Sequence, residues 1–115
     1  SAVNPDTVPV GIAAEADTVV SGNVVDTVPG LGIGAGWGPY LRDVIISDNV
    51  IRNVELGIGV SVAEGAGKAV VADNIVSGAS RAGIAGLAWA ELVSDDLARD
   101  AAQFENVTIS GNATG

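Results

Sequence analysis

The chain has 115 residues, 14 acidic against 5 basic for a formal net charge of −9, and no Cys, His or Met. That inventory argues against thiol chemistry, Cys or His zinc sites and His-based triads, and leaves no basic patch for nucleic acid or an anionic membrane. Hydrophobic residues make up 48% but aromatics only 3%, and 16 Gly disfavour a helical chain, so one small strand-rich domain is expected.

At the start, Asp6-Thr7-Val8-Pro9-Val10-Gly11-Ile12 resembles a later stretch, Asp26-Thr27-Val28-Pro29, and the Gly-Ile phrase that follows it. The first residues, Ser-Ala-Val-Asn-Pro, lack an initiator Met, which suggests a processed, excised or engineered piece of a longer parent. No basic segment precedes an apolar run there, and no run reaches the ~18 residues of a membrane span.

The first full phrase is Thr-Val-Val-Ser-Gly-Asn-Val-Val at 18–25, and near-copies follow at 44–51, 69–76 and 107–114. Their Asn residues, Asn23, Asn49, Asn74 and Asn112, are spaced by 26, 25 and 38 residues. A Gly-Ile phrase recurs in step, placing Ile33, Ile58 and Ile84 at offsets of 25 and 26. Repetition at this period predicts stacked units, each covering the open face of the next, which is a solenoid. Alternating apolar residues within each phrase predict strands with one buried face. Val44, Ile46 and Ile51 should face inward, in columns with Thr18, Val20 and Val25 before them and Ala69, Val71 and Val76 after. The four Asn should form an internal ladder, since an amide both donates and accepts, at a corner where Asn tolerates left-handed backbone.

Between the strands lie side arcs, Gly36-Trp37-Gly38-Pro39-Tyr40 and Ala63-Glu64-Gly65-Ala66-Gly67, and an insertion at 87–103 that accounts for the long final offset. Within it, Ser94-Asp95-Asp96-Leu97-Ala98-Arg99-Asp100 has a cap candidate at Ser94, acids in the first turn and good helix formers, predicting a short helix. The resulting single domain, 1–115, divides into units of 1–15 (partial), 16–41, 42–67, 68–103 and 104–115 (partial).

Units of about 25 residues with an Asn at one corner resemble the right-handed parallel β-helix of the pectate-lyase-like superfamily. More narrowly, Gly36-Trp37-Gly38-Pro39-Tyr40-Leu41-Arg42-Asp43, Gly57-Ile58-Gly59-Val60-Ser61-Val62, Gly65-Ala66-Gly67, Asp73-Asn74, Asp96-Leu97-Ala98 and the closing Ser-Gly-Asn are similar to the C-terminal region of an uncharacterised repeat family exported by the twin-arginine pathway. The resemblance implies an all-β fold, a right-handed parallel β-helix of about three to four coils with one short helix in a side insertion. It also implies a bacterial, exported parent, periplasmic or beyond, and it brings no established activity. The twin-arginine leader and the upstream coils have no counterpart here.

Polysaccharide cleavage would need several carboxylates holding calcium beside a base, or an Asp cluster on one strand face. Asp48 over Asp73 gives two carboxylates, where useful calcium affinity expects three or more. Asp17, Asp43 and Lys68 share a column, and Asp43 beside Lys68 and Asp26 beside Arg52 read as surface charge pairs. The Gly30 to Gly38 stretch lacks the Lys and following helix of a phosphate loop, outward positions lack the regular Thr array of an ice-binding face, and Asn106-Val-Thr and Asn112-Ala-Thr match a glycosylation pattern that is weak at three residues and, at Asn112, falls on a ladder residue expected to be buried. Trp37, Tyr40 and Trp89 are the side chains able to stack on a sugar, with apolar cover as the competing reading.

The expected function is therefore a non-catalytic structural or assembly module, with no catalytic residue, metal or cofactor. Its open end strands should pair with another copy to form a homo-oligomer, because exposed strand edges invite pairing. The alternative is a carbohydrate-binding or polysaccharide-cleaving remnant using the aromatic arc.

Overall fold

The computed structural model describes residues 9–114, and its strands follow the phrases closely. In chain order they are β1 (Val10–Ala14), β2 (Ala16–Ser21), β3 (Val24–Ala35), β4 (Arg42–Ser47), β5 (Val50–Ser61), β6 (Ala69–Ala72), β7 (Ile75–Ala88), β8 (Glu91–Ser94), β9 (Val107–Ser110) and β10 (Ala113–Thr114). One helix, α1 (Leu97–Asp100), runs into a 3-10 turn at Ala101–Gln103, and a second such turn spans Gly38–Tyr40.

Two sheets share these strands. The smaller is parallel, in the order β2-β4-β6-β9, and the larger has the order β1-β3-β5-β7-β10, with β8 added antiparallel against β7. Pairings follow the sequence offset: Thr18 sits beside Val44 and Val44 beside Ala69, while Ile33 sits beside Ile58 and Ile58 beside Ile84. Columns of β-branched side chains thus meet at the strand spacing of about 4.8 Å. Val44, Ile46, Ile51, Ile58, Val71 and Val76 are all buried in one core between the sheets, each such side chain contributing about 1.5–3 kcal/mol.

The expectation of a right-handed parallel β-helix of three to four coils is corrected. The molecule measures 35 × 31 × 23 Å, a small globule without the long axis of a solenoid. Its larger sheet is mixed, because the insertion folds back on β7 as β8. The physical reason is stack height: four or five strands at about 4.8 Å extend no further than the strands are long. The fold is accordingly a two-sheet, strand-rich globule around one core.

The corners and the insertion also differ from expectation. Left-handed backbone falls on the residue before each Asn, at Gly22, Asp48, Asp73 and Gly111, with φ between 58° and 71°. The helix is capped by Asp96, whose carboxylate accepts the Arg99 backbone N–H at 3.2 Å, and not by Ser94. The Ser94 hydroxyl instead donates to Asp100 at 2.8 Å. Close packing explains the Gly-Ile phrase: a Cβ on Gly57 would lie 2.5 Å from Val76 Cγ1 and would also strike the Gly83 carbonyl.

Candidate functional site

At the turn between the sheets, the structure brings Asn23, Asn49, Asn74 and Asn112 into one chain of hydrogen bonds. Asn23 donates both its backbone N–H and its Nδ2 to Asn49 Oδ1, each at 3.0 Å. Asn49 donates in the same way to Asn74 Oδ1, at 3.0 and 2.9 Å, and Asn74 to Asn112 Oδ1, at 3.0 and 2.8 Å. The second Nδ2 hydrogen turns to backbone carbonyls, those of Val20 for Asn49 and Ile46 for Asn74. Asn49 and Asn74 are each 1% exposed, so these partners replace water that the site excludes.

The ladder has a direction. Amide donors point from Asn23 toward Asn112, while backbone donors return, Val50 to Asn23, Ile75 to Asn49 and Ala113 to Asn74. At the two ends the pattern stops. Among the described residues nothing donates to Asn23 Oδ1, and the Asn112 backbone N–H reaches no acceptor. Asp6, Thr7 and Val8, the segment resembling the continuation of an Asn phrase, lie outside the described residues.

Beside the Asn112 end, among the described residues, β10 pairs only with Ile75 and Val76 of β7. The next stretch of β7, through Ala82, Gly83 and Ile84, borders a cleft of about 320 Å³ closed on its far side by Asp95 and Ala98.

The aromatic residues also come together, through an element the sequence did not announce. Ala88 pairs with Glu91, leaving Trp89 and Ala90 as a two-residue hairpin turn between β7 and β8. Trp89 holds φ 56°, a position that hairpins usually give to Gly and that costs a bulky side chain of order 1–3 kcal/mol. Its ring meets Trp37 at 5.7 Å between centroids and Tyr40 at 6.3 Å, both edge to face. Gly38 makes room for it, since a Cβ there would lie 2.5 Å from the indole. The Gly38 carbonyl is anchored in turn by the buried Ser61 hydroxyl at 2.6 Å. All three aromatics remain exposed, at 43%, 60% and 46% for Trp37, Tyr40 and Trp89.

Surface charge follows the sequence columns at Asp26 and Arg52 but not at Asp43 and Lys68. Asp26 pairs with Arg52 at 3.3 Å, and hydrogen bonds from Asn53 and Thr27 lower its carboxyl below the ordinary range. Asp17 pairs with Arg42, which lowers it too, whereas Asp43 and Lys68 form no ion pair among the described residues. Asp48 and Asp73 occupy adjacent corners, and no group of three or more acidic side chains able to hold a metal occurs among the described residues. The Asn106 amide is engaged by the carbonyls of Ser61 and Gly67, both at 3.0 Å, which is a structural role.

No family model, curated protein or solved structure matches this chain.

Proposed function

We propose that the chain is a non-catalytic assembly module whose two sheet ends dock head to tail on further copies. The observation that supports this reading is the complementarity of the ladder's ends among the described residues: an acceptor without a donor at Asn23 Oδ1 and a donor without an acceptor at the Asn112 N–H, related by the polarity of every internal step. In the assembly, Asn112 donates to Asn23 of the next copy, and Val24 of that copy donates to the Asn112 carbonyl, as Val50 does to Asn23 within one chain. Strand β1 of the incoming copy enters the cleft beside Ala82–Ile84 and supplies the partner that β7 lacks there among the described residues. Unpaired strand edges supply the drive, since each buried, satisfied backbone bond replaces an exposed one and apolar residues are covered with it.

The test is mass in solution. Light scattering over a range of concentrations should show species growing beyond a dimer, because a head-to-tail contact, unlike a two-fold one, leaves one free end on each copy of a pair. A single monomeric mass at all concentrations defeats the proposal. The carbohydrate reading rests on the exposed Trp37, Tyr40 and Trp89, but the groove beside them is apolar and offers few partners for sugar hydroxyls.

A further inference from the structure

On the outer face of the larger sheet, away from the main core, Leu31 and Leu56 form a second apolar cluster against which Leu87 and Leu92 pack. The hairpin of β7 and β8 rises beside it and the Trp37 ring closes another side, leaving a groove of about 200 Å³ floored by leucines and walled by Trp37 and Trp89. One charged side chain lines it, Arg81. Among the described residues Arg81 forms no ion pair, although the chain carries nearly three acidic residues for each basic one. Two acidic residues that share the adjoining cleft with it are committed elsewhere: Asp95 pairs with Arg99 at 3.2 Å, and Asp96 caps the helix. Glu55, on the neighbouring strand β5, forms no ion pair with it among the described residues.

We propose that this groove binds a small carboxylate with an apolar body, the ring or chain lying on Leu31, Leu56 and Trp89 and the carboxylate reaching Arg81. Each part of the site makes one demand. Apolar walls reward a body that surrenders little hydration, and they penalise a sugar, whose hydroxyls would lose water without finding donors or acceptors. A guanidinium presents paired N–H groups in the geometry of a carboxylate, and at the rim of an apolar groove the pair is screened less than in open water. Glu15 lines the neighbouring pocket that shares Val10, Leu31, Trp37 and Leu87 with this groove, and its negative charge directs the ligand's carboxylate to the Arg81 end. The hairpin holds Trp89 in place at the expense of a left-handed backbone, which fits a ring positioned as a wall.

The chain has only two Trp, so their indole N–H resonances report on the groove directly. Phenylacetate should shift both resonances in a saturable way and bind about tenfold more tightly than phenylacetamide, which keeps the shape and removes the charge. Arg81→Gln, at an exposed position, should erase that preference while leaving the amide's affinity unchanged. Equal affinities for acid and amide in the unaltered protein, or a preference that survives Arg81→Gln, overturn the assignment of Arg81. Silence of both resonances toward phenylacetate overturns the site, and shifts produced by maltose at lower concentration than by phenylacetate assign the groove to carbohydrate instead. The measurement is made at a concentration where the protein is monomeric, so its outcome is independent of assembly.

Discussion

At the scale of single residues, position in the ladder decides what each Asn is worth. Asn49 has a ladder neighbour on both sides and is buried, so truncation to Ala strands the Val20 carbonyl away from water and removes the acceptor shared by both half-buried Asn23 donors. Leaving a buried polar group unpaired costs about 1–3 kcal/mol, and with partial relaxation Asn49→Ala should lose about 3 kcal/mol. Asn23 sits at the end of the ladder, and its truncation leaves Asn49 Oδ1 still bonded by the residue-23 backbone N–H and the Ser21 carbonyl in an exposed position, so Asn23→Ala should lose about 1 kcal/mol. Urea unfolding of the two variants measures the difference, and equal losses would show that the ladder does not act as a buried network. The Asn positions were legible because a repeated amide at a constant offset has few other uses. The conformation of their corner was misassigned: left-handed backbone went to the preceding Gly or Asp, a choice between neighbouring residues that both tolerate it.

At the scale of elements, repetition located the strands and their partners, since equal offsets in two phrases translate directly into register. It was silent where the chain departs from the repeat. The hairpin was not legible because its turn, Trp89-Ala90, carries none of the Gly, Asn or Asp that mark such turns, and it is held by strand pairing and by distant packing, of Trp89 against Gly38, Trp37 and Tyr40 and of Leu87 and Leu92 against Leu31 and Leu56. Arg81 and Leu92 were missed for the same reason, as nothing local ties them to Trp37. In the remaining part of the insertion, Asp100 accepts from Arg99 and from Ser94, and these bonds lower its pKa to about 2. A carboxylate whose folded pKa is depressed contributes stability that is complete above the unfolded value, about 3.9, and lost as pH falls through the folded one. Asp100→Asn should therefore destabilise the protein at pH 5, with the gap to the parent narrowing between about pH 4 and pH 2. Urea midpoints at several pH values test this, and a gap that persists unchanged to pH 2 would mean that the charge on Asp100 is not what holds the insertion.

For the whole molecule, the shape was the part least legible, because a repeat period specifies how neighbours pair but not how tall the stack becomes before the chain turns back. The same pairing rule yields a sharp test of assembly. Val24, Val50, Ile75 and Ala113 are successive register partners across β3, β5, β7 and β10, so Val24 and Ala113 of one chain are three strand spacings apart, about 14 Å. A disulfide needs Cα atoms within about 7 Å, so Val24→Cys combined with Ala113→Cys cannot close within one molecule. Head-to-tail docking places Ala113 of one copy beside Val24 of the next, at one strand spacing. The parent has no Cys to interfere. Oxidation of the double variant should give a ladder of covalent multimers on a non-reducing gel, while either single variant should stay monomeric. Dimers from Val24→Cys alone would reveal a like-to-like contact between N-terminal ends and reverse the polarity argued from the ladder. Salt supplies the second axis of the experiment: copies carrying a net charge of −9 repel one another, and raising ionic strength shortens the range of that repulsion from about 30 Å at 0.01 M to about 10 Å at 0.1 M. Cross-linking should accordingly rise with salt, since the hydrogen bonds and apolar contacts of the docked ends are short-ranged and survive screening, whereas an association driven by opposite charges would weaken under the same change.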